Sequence, residues 1–223
     1  RRQRQMCIRD RKYPMELVHR GGFFEAIIED REEWFRYQLE YTDYTGNTWK
    51  GYDPYSFQPT FSDLDRHLFG AGTHYEIYEK MGGRLMTHQG AKGASFTVWA
   101  PNAKTVSVVG DFNLWDNRRH PMRKLEKSGV WEIFIPGVQE GDRYKFHVVQ
   151  FDGKAVDKTD PYGLYSELRP NTASVLYPLK RYKWKDRKWM TARKKYDVHK
   201  SPMSIYDCLL YTSPSPRDAT LSR

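Results

Sequence analysis

Val98-Trp99-Ala100-Pro101-Asn102-Ala103, followed at once by Val106-Ser107-Val108-Val109-Gly110-Asp111-Phe112-Asn113-Leu114-Trp115-Asp116, decides the fold. Apolar residues run up to Pro101-Asn102, resume after it, and stop again at Gly110-Asp111. Proline removes a backbone donor and pushes its predecessor toward extended geometry, so neither stretch continues as a helix. Short bulky runs on either side of a turn read as strands over 95–99 and 105–109. The same texture recurs further along, at 130–135 and 143–149, with turn signals at Gly141-Asp142 and Asp152-Gly153 between and after them. Asp-Gly is a favoured hairpin dipeptide. Short strands at this spacing predict a β-sandwich over 72–179.

Upstream, residues 12–71 carry strand-like patches at 22–29 and 34–42 and a turn at Tyr44-Thr45-Gly46-Asn47. Residues 49–61 are rich in Tyr, Pro and Phe and cannot form a regular helix. A short helix is predicted over 63–69, with Ser62 as its N-cap and Gly70 as its stop. Downstream, residues 180–207 turn basic around Trp184 and Trp189. This stretch reads either as a linker anchored by its Trp rings or as a nucleic-acid stripe with interleaved aromatics.

The chain has 223 residues, of which 15% are aromatic, and a formal net charge of +9. That charge invites a nucleic-acid or membrane-surface reading, but it is unevenly spread. Residues 1–11 hold a net +4 and residues 208–223 a net +1, which leaves +4 for everything between. Both cysteines, Cys7 and Cys208, also lie in those ends, so no disulfide framework holds the middle. No run approaches the roughly 18 apolar residues of a membrane span. The Arg-rich start lacks the apolar core of a signal peptide.

The two ends share an origin at the level of codons. Cys208-Leu209-Leu210-Tyr211-Thr212-Ser213 reverse-translates to a sequence whose complementary strand, shifted by one base, encodes Met6-Cys7-Ile8-Arg9-Asp10. Both ends resemble translated sequencing-adaptor DNA of the transposon-tagging kind. Residues 1–11 and 208–223 are therefore expected to be adaptor-derived and are set outside the fold.

Residues 98–116 resemble the starch- and glycogen-binding module that precedes the barrel in α-amylase-superfamily enzymes. Three further features are similar to branching enzymes. Arg118-Arg119-His120-Pro121-Met122 follows Trp115-Asp116 directly. Asp160-Pro161-Tyr162 is followed by Glu167-Leu168-Arg169-Pro170-Asn171-Thr172-Ala173-Ser174-Val175. An additional N-terminal domain is suggested by residues 23–28, by Asp53-Pro54-Tyr55 and by Asp63-Leu64-Asp65-Arg66-His67-Leu68-Phe69-Gly70. The resemblance is to the N-terminal part of 1,4-α-glucan (glycogen) branching enzymes. It implies an all-β chain of two immunoglobulin-like β-sandwiches in tandem, 12–71 and 72–179, with 180–207 forming a linker and the start of the first barrel strand. The catalytic (β/α)₈ barrel itself is expected to lie outside this chain, and the alternative reading is a stand-alone glycogen-binding or scaffold module without enzyme activity.

In the family, an α-1,4 bond is cut and the chain moved to a 6-hydroxyl by a retaining mechanism, which needs two carboxylates about 5 Å apart. Those carboxylates come from barrel strands and loops, so no catalytic residue is expected here. Asp111, Asp116 and Glu132 are expected to serve turns and surface pairs. The resemblance implies α-glucan binding through Trp115, Lys145 and Asn171, by ring stacking and hydroxyl contacts. Each position keeps an alternative. Trp115 can pack beneath its turn, Lys145 can be a solvated strand residue, and Asn171 can cap a turn. Where strongly binding relatives carry a second stacking Trp after Asp-Gly, this chain has Lys154-Ala155. Trp99 and Trp131 are expected in the core. The implied partners are α-1,4-glucan or glycogen and the catalytic barrel of an intact chain, in the cytoplasm. No cofactor, metal, nucleic acid or membrane is implied.

Overall fold

The computed structural model describes residues 3–8, 11–29, 33–43, 45–179, 182–197 and 199–205. The chain divides into two units, Arg1–Leu179 and Lys180–Arg223. The first unit begins with five strands: β1 Gln3–Ile8, β2 Arg11–His19, β3 Phe23–Glu25, β4 Gln38–Thr42 and β5 Thr48–Tyr52. They form one antiparallel sheet in the order β3-β2-β1-β4-β5, with Met6 of β1 opposite both Tyr13 and Leu39. A helix α1, Asp63–Gly70, follows. Next come β6 Gly82–His88, β7 Ala91–Trp99, β8 Ala103–Gly110, β9 Arg123–Lys124, β10 Val130–Pro136, β11 Arg143–Gln150, β12 Ala155–Lys158, β13 Tyr165–Ser166 and β14 Ser174–Val175.

These last nine strands make the sandwich. One layer has the order β6-β7-β10-β9. The other runs β12-β11-β14-β13, with β8 also paired to β11. The Pro101-Asn102 turn carries the chain from the first layer to the second. Alternate residues of the facing strands fill the space between the layers: Ala94, Phe96 and Val98 of β7, Val106 and Val108 of β8, Trp131, Ile133 and Ile135 of β10, and Tyr144 and Phe146 of β11. The period of two is what a half-buried strand dictates.

The β7–β10 layer is buried on its other face as well. Phe57 packs on Phe134 and Ala91, and Phe61 on Met81, Leu125 and Val130. Ser62 caps α1 with a full capping box, its hydroxyl accepting from Asp65 N–H while the Asp65 carboxylate accepts from Ser62 N–H. Burial alone would raise the Asp65 pKa, but donors from Ser62, His74 and Lys80 outweigh it and hold the carboxyl well below its ordinary value. Phe57, Thr60 and Phe61 thus cover the outer face of this layer.

Several expectations are corrected. In the first part the described strands form one five-stranded antiparallel sheet. Residues 3–8, set outside the fold, occupy its centre, because an alternating segment of extended backbone can satisfy donors on both neighbouring strands. Trp131 is buried, but Trp99 is 56% exposed: it follows Val98 on β7, so strand parity turns it away from the core and against Phe69. Glu132 is no surface carboxylate, being wholly buried.

In the second unit a helix α2, Arg187–Lys194, lies within the stretch read as a linker. Tyr182 packs edge-on to Trp184, and Arg193 lies over Trp189. The adaptor reading of 208–223 and the junction at Asp207 lie outside the described residues.

Candidate functional site

The outward face of the β8–β11 layer carries the candidate residues. Tyr144 and Phe146 of β11 point into the core, so Arg143, Lys145 and His147 share the opposite face. β8 ends at Gly110, opposite Tyr144. An added Cβ at Gly110 would stand 2.4 Å from the Arg143 carbonyl oxygen, so the strand must end on glycine to keep this close approach.

After Gly110 the chain makes a tight loop built on Asn113, whose side chain is buried. Its carbonyl oxygen accepts from Gly110 N–H (2.9 Å), and its amide group donates to Val108 O and to His120 Nδ1 (both 2.9 Å). The loop then passes through Leu114 (φ 58°) and Trp115 (φ 60°), two successive left-handed residues with no glycine between them. For ordinary L-residues that conformation costs roughly 1–2 kcal/mol each. Strain of this kind persists only where the surroundings over-determine it, and it gathers at functional sites.

Trp115 is 40% exposed. Its backbone N–H donates to Gly110 O (3.0 Å) and its indole Nε1 to Asp111 Oδ1 (3.1 Å). Asp111 also takes the guanidinium of Arg143 through both oxygens, Nε to Oδ2 at 2.8 Å and Nη2 to Oδ1 at 3.0 Å. The guanidinium holds the Asp111 carboxyl below its ordinary pKa. Arg143 Nη1 reaches on to Glu167 Oε1 (3.2 Å), whose other oxygen accepts from Ala173 N–H (3.1 Å). Lys145 Nζ donates to Thr172 Oγ1 at 2.9 Å. His147 is held between Asp157 (2.7 Å) and Asn117 (2.9 Å).

The three sequence-predicted residues therefore stand on one network. Trp115 is fixed by Asp111, Asp111 by Arg143, and the loop bearing Asn171 by Glu167 through Ala173 and by Lys145 through Thr172. Asn171 itself is exposed, and its backbone N–H donates to Leu168 O at 3.1 Å, closing a turn. Lys145 is half-buried rather than free in solvent. Asp111 was expected to serve a turn or a surface pair and does both, while Asn113, Arg143 and Glu167, which help to organise the site, were given no role from the sequence. Only the compact Gly110-Asp111-Phe112-Asn113 run carried a signal, that of a tight side-chain-capped turn. Among the described residues, no group of three His, Cys, Asp or Glu side chains is placed to hold a metal. No helix there is long and apolar enough to cross a membrane.

Two families match successive stretches of the chain. Residues 4–55 match the alpha-1,4-glucan branching enzyme GlgB N-terminal domain, and residues 80–163 match carbohydrate-binding module 48, the isoamylase N-terminal domain. The chain is 47% identical over 190 residues to the 1,4-alpha-glucan branching enzyme GlgB of Protochlamydia amoebophila (strain UWE25), covering 85% of this chain and 26% of that protein. It is 47% identical over 198 residues to the GlgB of Synechocystis sp. (strain PCC 6803), covering 88% of this chain and 25% of that protein. Among solved structures it is similar to pullulanase type I from Bacillus subtilis str. 168 complexed with maltose, at 16% identity and a TM-score of 0.40, over 81% of this chain and 24% of that one. The chain spans about a quarter of the length of the curated relatives it matches. In sequence and in the order of its two matched stretches, it belongs to the N-terminal region of the GlgB family of 1,4-alpha-glucan branching enzymes.

Proposed function

We propose that this chain is the accessory α-glucan-binding region of a glycogen branching enzyme, an enzyme that cleaves α-1,4 bonds and transfers the cut chain to form α-1,6 branches. The chain itself holds a polymer and does not rearrange it. Its partners are α-1,4-glucan or glycogen and the catalytic barrel of the intact enzyme, in the cytoplasm, and it does not act on nucleic acid or membrane. The observation that carries this reading is a half-exposed indole held in a strained loop beside a lysine and a tethered asparagine loop. A sugar ring offers an apolar C–H face to the Trp115 ring and hydroxyls to Lys145 and Asn171. All three are binding residues and none is catalytic.

The test is calorimetric titration of the chain with maltoheptaose, with Trp115→Ala as the comparison. Loss of the ring weakens binding by about tenfold, the equivalent of 1.4 kcal/mol, with an unchanged far-ultraviolet dichroism spectrum. Equal affinity in the variant would remove Trp115 from the site.

The adaptor origin of residues 1–11 and 208–223 is proposed on codon complementarity. The pairing of β1 is compatible with either origin, since any alternating extended segment can fill that position. Resequencing the source DNA outward from the codons of Lys12 and Tyr206 decides it: a family-like sequence on both sides supports the adaptor reading, and recovery of the same codons sinks it.

A further inference from the structure

The loop that carries Trp115 leaves β8 at Gly110 and returns along the other edge of the same strand. There Val108 N–H donates to His120 O and Met122 N–H to Val106 O. Between these points Asn117 reaches across to β11, its Nδ2 standing 2.9 Å from His147 Nε2. To do so the loop must arch over the outward face of β8. That arch accounts for two burials. Val109 and Ser107 lie on this face, opposite Lys145 and His147, and are only 2% and 7% exposed. Beside the arch, the outward face of β11 forms a strip from Lys145 to His147, about 7 Å at 3.4 Å per residue.

At the far end of this strip His147 is held from both sides. Its Nδ1 stands 2.7 Å from Oδ1 of Asp157, directly opposite on β12. A carboxylate only accepts, so Nδ1 carries the proton. The neutral ring then accepts at Nε2, and Asn117 must turn its amide group toward it. One imidazole thereby aims two further atoms, Asn117 Oδ1 and Asp157 Oδ2. Neither has a protein partner among the described residues, and both belong to side chains open to solvent. Both accept and neither donates. This end of the strip therefore takes hydroxyls and offers nothing to an ether oxygen. Lys145, two residues back, is a donor.

We propose that Asn117 and Asp157 read the 2- and 3-hydroxyls of a glucose unit next to the one on Trp115, with His147 as their positioning residue. The proposal rests on the reading of the chain as glucan-binding. In an α-1,4-glucan each inner unit keeps two neighbouring secondary hydroxyls, at C2 and C3, while its C1 and C4 oxygens are taken up by the linkages. Two acceptors on either side of one imidazole suit such a pair of donors, and hydrogen bonds to a carboxylate are stronger than neutral ones. A stacking ring cannot tell a hydroxyl from its methyl ether. A pair of acceptors can, because a site built to bond a hydroxyl is left unpaired by the analogue that lacks it.

The experiment is calorimetric titration of the full chain with β-cyclodextrin, a closed α-1,4-glucan ring, and with the same ring methylated at every 2- and 3-oxygen. The parent is expected to bind the unmodified ring about tenfold tighter than the methylated one. Trp115→Ala weakens both and keeps that ratio. Asn117→Ala combined with Asp157→Ala brings the ratio close to one, chiefly by weakening the unmodified ring. Asn117→Ala alone, which truncates an exposed side chain, moves it in the same direction. His147→Ala also collapses the ratio, and His147→Gln, whose carboxamide can donate to Asp157 and accept from Asn117, restores it. Parent-like amide dispersion in the unliganded variants checks that the sandwich is intact. A double variant that keeps the tenfold preference overturns the proposal and leaves the Trp115 platform standing, as does a parent that binds both rings equally. A parent that binds neither ring overturns the glucan-binding reading and this proposal with it.

Discussion

Asn113 shows how one side chain can set a binding loop. Its carbonyl serves the end of β8, while its amide group serves both the strand and His120, so the imidazole must accept at Nδ1 and stay neutral. Burial, reinforced by neighbouring Arg119, lowers the His120 pKa from 6.5 to about 4. The unfolded chain takes up a proton near 6.5 and the folded one does so only near 4, so between those values the unfolded state binds more protons. The His120 contribution to stability therefore falls as pH drops from about 6.5 to about 4 and levels off below that, where the carboxylates take over. Thermal melts across this window, with His120→Gln as the comparison, check it: the variant flattens the acid limb if His120 is the titrating group. Little of this was legible beforehand. Trp115, Lys145 and Asn171 stand out by residue type and by resemblance. Asn113 and Asp111 are ordinary turn residues until the structure shows what their oxygens and amide groups hold.

Elements explain why the loop can be strained without melting. β8 and β11 pair over most of their length, and the Gly110–Arg143 approach locks the end nearest the site. Gly110→Ala forces a methyl against backbone, which cannot move aside as a side chain would. The expected cost is on the order of 2–4 kcal/mol, read as a lowered urea midpoint at unchanged slope; a cost below about 0.5 kcal/mol would show that the ladder end yields. The sandwich strands were legible because bulky residues alternate between turn dipeptides, and α1 because Ser62 reads as its N-cap and Gly70 as its stop. β2 was not legible: Arg11–His19 contains Pro14 and four charged or imidazole side chains, and only pairing with β1 and β3 makes it a strand. α2 was hidden by its basic composition, which suits a solvated helix and a linker equally.

At the scale of the whole first unit, Glu132 joins the early segment to the sandwich. Its buried carboxylate accepts from Thr60 N–H and Oγ1–H, both at 3.0 Å, and stands 3.6 Å from Arg123. Burial raises its pKa, against the pull of Thr60 and Arg123. Glu132→Ala leaves Arg123 without its counter-charge and Thr60 without an acceptor, a loss of about 3–5 kcal/mol. Limited proteolysis should then cut within 53–62 before the sandwich opens; a parent-like digestion pattern would argue against this tether. The cover that the early segment gives the β7–β10 layer was not legible in the sequence, because Phe57, Phe61 and Thr60 look like loop residues until the face they cover is known. The Asp111–Arg143–Glu167 chain has a further consequence. Its ion pairs are partly open to solvent, with Arg143 49% and Asp111 30% exposed, so dissolved ions reach and screen them. The proposed ligand is uncharged, yet the platform that receives it is assembled by charge. Raising sodium chloride from 20 mM to about 1 M, where the screening length falls to roughly 3 Å, should loosen the grip on a neutral sugar, and an isotherm indifferent to salt would mean that packing alone holds the platform.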